Sequence, residues 1–237
     1  MSLRSLLTRA LLGGLLAAPA LAAPPPPFED SIAQRVQACT GCHGAQGRAG
    51  PDGFYPRLAG KPAGYLHHQL LNFRDGRRHY PLMTHLVAPL TDAYLLEMAT
   101  YFSQLDVPYP PPAGRPAADV VARGESLVYR GDPMRDVPAC VSCHGERLTG
   151  VAPAIPGLLG LPRDYLNAQF GAWRTGKRRA HGPDCMFEIA KRLDLTDINA
   201  VSSWLASRPV PVPAKADTSL PAPLPMPCGG VPQEVAR

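Results

Sequence analysis

Cys39-Thr40-Gly41-Cys42-His43 and Cys140-Val141-Ser142-Cys143-His144 are one pentapeptide pattern written twice in a chain of 237 residues. Cys-x-x-Cys-His is the attachment signature of a c-type haem. Its two cysteines add covalently to the haem vinyl groups, and the adjacent histidine is placed to ligate iron from one face. The pattern therefore predicts two covalently bound haem c groups, held by Cys39, Cys42, Cys140 and Cys143 with His43 and His144 as iron ligands.

The surroundings repeat as well. Pro56-Arg57-Leu58-Ala59-Gly60 is echoed by Pro156-Gly157-Leu158-Leu159-Gly160. Tyr65-Leu66-x-x-Gln69-Leu70-x-x-Phe73-x-x-Gly76 returns as Tyr165-Leu166-x-x-Gln169-Phe170-x-x-Trp173-x-x-Gly176. The histidines are 101 residues apart, this block 100, and Met83 and Met186 103. One supersecondary unit has been used twice with small loop insertions.

Each unit reads as helices joined by loops. The expected helices are Glu29 to Ala38, Ala63 to Phe73, Ala93 to Leu105, Asp119 to Tyr129 and Thr196 to Ser207, on apolar residues at helical spacing. Pro108 to Pro116 contains five prolines and reads as a linker. From Pro209 onward eight prolines predict a tail that is extended or disordered unless Cys228 fastens it. The expected organisation is a signal peptide at 1–22, a first domain at 23–107, the linker at 108–116, a second domain at 117–208 and the tail at 209–237.

Residues 1–22 carry Arg4 and Arg9, then the apolar run Ala10 to Leu16, then Ala20-Leu21-Ala22. That is the order of a secretory signal peptide, and it predicts export. An uncleaved anchor is the alternative. Cleavage leaves 22 basic against 19 acidic residues, a net charge of +3. No aromatic-plus-basic platform is visible, which argues against nucleic-acid binding.

Two other readings of the cysteines remain open: a zinc site built from two thiolate pairs, and a redox dithiol. Neither requires a histidine directly after the second cysteine in both copies. Cys185 and Cys228 lie outside the motifs, and two leftover thiols in an oxidising compartment predict a disulfide. Closing that span would stabilise by ~3–4 kcal/mol in the loop-entropy model. An axial thiolate from Cys185 is the alternative. For the sixth iron position, Met83 and Met186 sit at matching places, in the loop expected before each unit's last helix. A thioether there raises the reduction potential relative to a second imidazole. His79 and His85 flank Met83, and His181 and Cys185 flank Met186, as competitors.

With these motifs the chain resembles the dihaem cytochromes of the cytochrome c4 family, over about Ser31 to Ser207. The resemblance implies an all-α fold of two tandem class I cytochrome c domains related by a pseudo-twofold axis. It implies that the carbonyls of Pro56 and Pro156 orient His43 and His144, and that Arg77, Lys177 and Arg178 face the haem propionates. It also implies a periplasmic electron carrier of a Gram-negative bacterium, without a catalytic residue of its own. Its redox partners would be a quinol-oxidising complex or dehydrogenase as donor and a terminal oxidase or reductase as acceptor, with peripheral membrane association as an option. The alternatives are a dihaem enzyme of peroxidase or thiosulfate-oxidising type, and a dedicated cytochrome subunit of a membrane dehydrogenase or oxidase. The long tail and the Cys185/Cys228 pair depart from the family pattern.

Overall fold

A computed structural model describes residues 29–50 and 52–232. The expected signal peptide lies outside the described residues. Ten α-helices and one small hairpin follow in order: α1 (Ile32–Arg35), α2 (Gln37–His43), α3 (Ala63–Arg74), α4 (Pro81–Val87), α5 (Asp92–Gln104), α6 (Ala118–Arg130), α7 (Val141–His144), β1 (Gly150–Val151), β2 (Ile155–Pro156), α8 (Arg163–Arg174), α9 (Cys185–Arg192) and α10 (Leu195–Ala206).

The apolar side chains gather in two clusters. One joins Val36, Leu66, Phe73, Leu95, Met98 and Phe102 from α1 to α5. The other joins Leu127, Leu166, Phe170, Trp173, Val201 and Trp204 from α6 to α10. Residues 105–117 run between them without a helix.

Local sequence explains most boundaries. Thr91 caps α5 by accepting from the Tyr94 amide, and Asp194 caps α10 by accepting from the Asp197 amide. Gly76 and Gly176 take φ of 77° and 74° just past α3 and α8, where a left-handed residue ends a helix. The long helix α6 crosses α10 at Gly124, where a Cβ atom would come within 2.4 Å of the Ala200 carbonyl oxygen. Only glycine permits that approach.

The structure corrects three expectations. The first helix is not continuous from Glu29 to Ala38. It breaks at Val36, whose ψ is near 0°, into α1 and α2, and the first Cys-x-x-Cys-His lies inside α2. Met83 and Met186 are on helices rather than in loops. Pro81 opens α4 at a position where its missing N–H costs nothing, and Asp184 caps α9 by accepting from the Phe187 amide. The third correction is a strand pair. Gly150 pairs with Pro156 and Val151 with Ile155, antiparallel, in the second half.

The tail is extended. Asp217 lies alongside β1, donating its amide to the Gly150 carbonyl at 2.9 Å and accepting from the Ala152 amide at 2.8 Å. Further on, Cys228 is joined to Cys185 at the first turn of α9, as a disulfide with its Cα atoms 5.1 Å apart. Cys185 is therefore not a free thiolate. Among the described residues, no helix is long and apolar enough to cross a membrane.

Candidate functional site

Cys39, Cys42 and His43 fall three and four residues apart on α2, so the helix itself brings them to one face. Gly44 follows with φ of 75°, and the chain turns away sharply. A Cβ at that position would meet the Ala49 carbonyl oxygen at 2.4 Å. His43 is buried, and its Nδ1 donates to the Pro56 carbonyl at 2.7 Å. A carbonyl only accepts, so Nδ1 carries the proton and Nε2 keeps its lone pair for a metal. The second half reproduces this arrangement. His144 is equally buried, and its Nδ1 donates to the Pro156 carbonyl at 2.8 Å.

Each motif lines a cavity. The first, of about 580 Å³, is walled by Cys39, Cys42, His43, Leu70, Phe73 and Met83 among others. The second, of about 200 Å³, is walled by Cys140, Cys143, His144, Phe170, Trp173 and Met186 among others. Burial lowers the basicity of both histidines, so they are neutral and able to ligate. Burial raises the Cys39 thiol, and pushes Cys140 up to about 12 and Cys143 up to about 11. Two Cys-x-x-Cys pairs on separate helices, each followed by a histidine, suit two covalent haem attachments, one per pair. The two pairs also line different cavities, and among the described residues no three His, Cys, Asp or Glu side chains form a metal-holding group. Free thiol pairs, a histidine lone pair, a thioether and apolar walls fit a c-type haem in each cavity.

Met83 and Met186 are half-buried on their cavity walls. The competitors separate from them. His85 is exposed and lines neither cavity; His79 and His181 are exposed at the margins. Two thioethers outside the sequence expectation also reach the cavities. Met98 on α5 lines the first and Met226 of the tail lines the second.

Between the cavities lies a cluster that contains Arg178, expected from the resemblance to face a propionate, together with Arg78 and Lys61, which were not expected there. Residues 77–79 and 177–179 pair across the two halves. The His79 amide donates to the Lys177 carbonyl and the Arg179 amide to the Arg77 carbonyl, both at 2.7 Å. Arg78 donates to Gln69 at 3.0 Å and to Gln169 at 2.8 Å. Arg178 donates to Gln169 at 2.8 Å and to Gln69 at 3.1 Å. Each guanidinium stacks on the aromatic ring of its own half, Arg78 at 4.6 Å from Phe73 and Arg178 at 3.9 Å from Trp173. Among the described residues neither arginine pairs with a carboxylate, although Arg178 is 6% exposed. The ammonium of Lys61, equally buried, donates among the described residues to the Gly157 carbonyl, at 3.3 Å, and to no carboxylate. Burial would raise the Tyr65 phenol, yet Arg178, Arg78 and Lys61 together bring it below its ordinary value. Arg77, by contrast, is held by Asn72 at 2.6 Å and Asp75 at 2.8 Å, and Lys177 is exposed. The repeat of Gln69 at 169 and of Arg78 at 178 was the signal available in the sequence.

No protein-family model matches the chain. It is 39% identical over 209 residues to a thiosulfate dehydrogenase electron acceptor from Thiomonas intermedia, spanning 88% of this chain and 93% of that one. It is 34% identical to cytochrome c4 from Pseudomonas aeruginosa, over 74% of this chain and 87% of the relative. Among solved structures, reduced cytochrome c4 from Pseudomonas stutzeri superposes with a TM-score of 0.62 at 29% identity, covering 74% of this chain and 96% of that one. Thiosulfate dehydrogenase (TsdBA) from Marichromatium purpuratum superposes with a TM-score of 0.64 at 36% identity, over 73% of this chain and 36% of that longer chain. The doubled haem motif, the doubled helical unit and these likenesses converge: the chain is an electron-transfer cytochrome with two covalent haem c groups on two class I cytochrome c domains, and it belongs to the cytochrome c4 family.

Proposed function

We propose that this protein accepts single electrons from a thiosulfate-oxidising dehydrogenase in the periplasm and passes them to a terminal oxidase or reductase of the respiratory chain. The domains would be 23–107 and 117–208. Cys39 and Cys42 would hold one haem, with His43 and Met83 as iron ligands. Cys140 and Cys143 would hold the other, with His144 and Met186. A haem so ligated supplies a one-electron centre whose potential answers to its ligands, nearby hydrogen bonds and burial. The carbonyls of Pro56 and Pro156 fix the ring orientation and proton position of each histidine. Buried Lys61 and Arg178, with half-buried Arg78, supply the positive charge that would balance the haem propionates. A buried cation without a partner is costly, and an anion at that wall removes the cost.

The observation that carries this reading is the wall between the cavities. Lys61, Tyr65, Gln69, Tyr165, Gln169 and Arg178 line both of them. Two redox centres separated by a single layer of side chains suit passage of electrons in at one domain and out at the other. The donor is taken from the relatives named as thiosulfate dehydrogenase electron acceptors. The test is to mix oxidised, haem-loaded protein with a thiosulfate dehydrogenase and thiosulfate and follow the haem bands. Reduction of both haems that depends on dehydrogenase and thiosulfate together is expected; persistently ferric haems would refute this donor.

A further inference from the structure

The tail of the chain does something the first half has no means of doing. Residues 221–228 read Pro-Ala-Pro-Leu-Pro-Met-Pro-Cys, with proline at every second place. Proline fixes φ near −65° and keeps each preceding residue out of the helical region, so this stretch is extended before it packs on anything. An extended chain sends alternate side chains to opposite sides. The structure shows that alternation: Leu224, Met226, Cys228 and Gly230 are half-buried, while Pro223, Pro225, Pro227 and Gly229 are exposed. The inward set, together with Val231, lines the second cavity beside Met186.

Three fastenings hold the segment there. Asp217 adds to β1 and forms an ion pair with Arg147 at 3.5 Å. Cys228 is bonded to Cys185, the residue directly before Met186. The Gly229 amide donates to the Pro183 carbonyl at 2.9 Å, in the loop that leads into α9. At Gly229 the segment passes so close to that loop that a Cβ atom would lie 2.2 Å from the Gly182 carbonyl oxygen. Beyond it, Gly230 meets His68 of α3, so the segment also touches the first half.

From this placement we infer that residues 221–231 form a strap that walls the second haem site and, through the Cys185–Cys228 bond, braces the first turn of α9 and so positions Met186 as its sixth ligand. The inference rests on the reading of Met186 as ligand. Its physical basis is local. The bond joins the strap to the backbone one residue from the thioether, and Leu224 and Met226 occupy space through which water or a small ligand would otherwise reach that position. The strap's prolines reduce the conformational freedom lost on closing it. The strap is thus a positioning element, and its loss acts on one haem only.

The test is an imidazole titration of the ferric, haem-loaded protein, following displacement of the sulfur ligand at each haem. Two strap variants are compared with wild type: Cys185→Ser/Cys228→Ser, which removes the bond, and Gly229→Val, which lifts the segment while leaving the cysteines in place. A double variant, Met186→Ala/Met226→Ala, removes both thioethers of that cavity and reports on the ligand reading itself. We expect both strap variants to bind imidazole at the second haem at lower concentration than wild type and to lower that haem's potential, with the first haem unchanged as internal evidence of folding. If the methionine variant opens the second haem while both strap variants titrate like wild type, the strap inference is overturned and the ligand reading stands. If the methionine variant leaves the second haem unaltered, the ligand reading fails and the inference falls with it. Equal effects on both haems in the strap variants would also overturn it, since they would indicate general loosening.

Discussion

The two halves of this cytochrome are built from one plan and differ in what surrounds each cavity. In the first, a four-residue helix, α1, packs near the core, the cavity measures about 580 Å³, and exposed Phe54, Leu82 and Leu86 stand around it. In the second, the equivalent entry helix α6 runs for 13 residues, crosses α10 at a glycine, and the cavity measures about 200 Å³ with the tail along one side. The same haem-binding residues can thus be mounted beside a wider cavity or a narrower one with the tail along it. The difference lies in parts of the chain that never touch iron.

The largest effect should come from the ligands. Met83→Ala and Met186→Ala should each leave the haem attached and lower that haem's potential by on the order of 0.1 V or more, within the ~0.8 V span set by axial ligands. Spectroelectrochemistry resolves the two steps, and each variant should move one. Unchanged potentials in both would refute the methionine ligand assignment, and a shift in only one would break the symmetry of the two sites.

Next is the helix crossing. Gly124→Ala should destabilise the protein by about 1–3 kcal/mol through overpacking, because Ala200 and Trp204 already occupy the space. Gly171→Ala on α8, with nothing within 4 Å of its Cβ, should instead stabilise by about 0.5–1 kcal/mol. Thermal unfolding distinguishes them; equal shifts would mean that the crossing is not tight.

A third comparison uses two aspartates at matching places in Leu-Thr-Asp. Asp197, 3% exposed, is 2.7 Å from Arg123 and 2.6 Å from Arg135, whereas Asp92, 70% exposed, is 2.5 Å from Arg74. Burial alone would raise the Asp197 carboxyl, but its bonds to Arg123 and Arg135 hold it below the ordinary value. The folded state therefore binds its proton less tightly than the unfolded chain. The resulting stability is present above the unfolded value of ~3.9 and is lost as pH falls through the lower folded one. Asp197→Asn should cost about 1–3 kcal/mol at neutral pH and flatten acid unfolding below pH ~4, while Asp92→Asn should cost about 0–1 kcal/mol. Denaturant melts at pH 7 and pH 3 check both; a larger loss for Asp92→Asn would reverse the ranking of the halves.

Much of the site was legible in the sequence because its chemistry is local. Cys39, Cys42 and His43 fall within five residues, and the offset of 100 through the Tyr-Leu-x-x-Gln blocks exposed the repeat. Apolar periodicity located α3, α5, α6 and α10 to within one residue, and the repeat of the α3 block at 165–176 marked the place of α8. What escaped depends on partners distant in the chain. α4 and α9 are short, and their helical character comes from Pro81 and a capping Asp184 rather than a long apolar stripe. Arg78 matters through Gln169, 91 residues away; the repeat marks both positions but not that they meet across the halves. The disulfide followed from counting leftover cysteines. That Met226 would fold back to line the second cavity did not follow, because prolines fix how a segment is shaped and not where it lies.

The most direct measurement is a redox titration of the mature, haem-loaded protein followed by visible and near-infrared absorption. Two one-electron steps are expected, one per haem, each accompanied in the ferric state by a thioether-to-iron charge-transfer band. One step, or a haem lacking that band, would contradict the reading of two centres each bound by histidine and methionine.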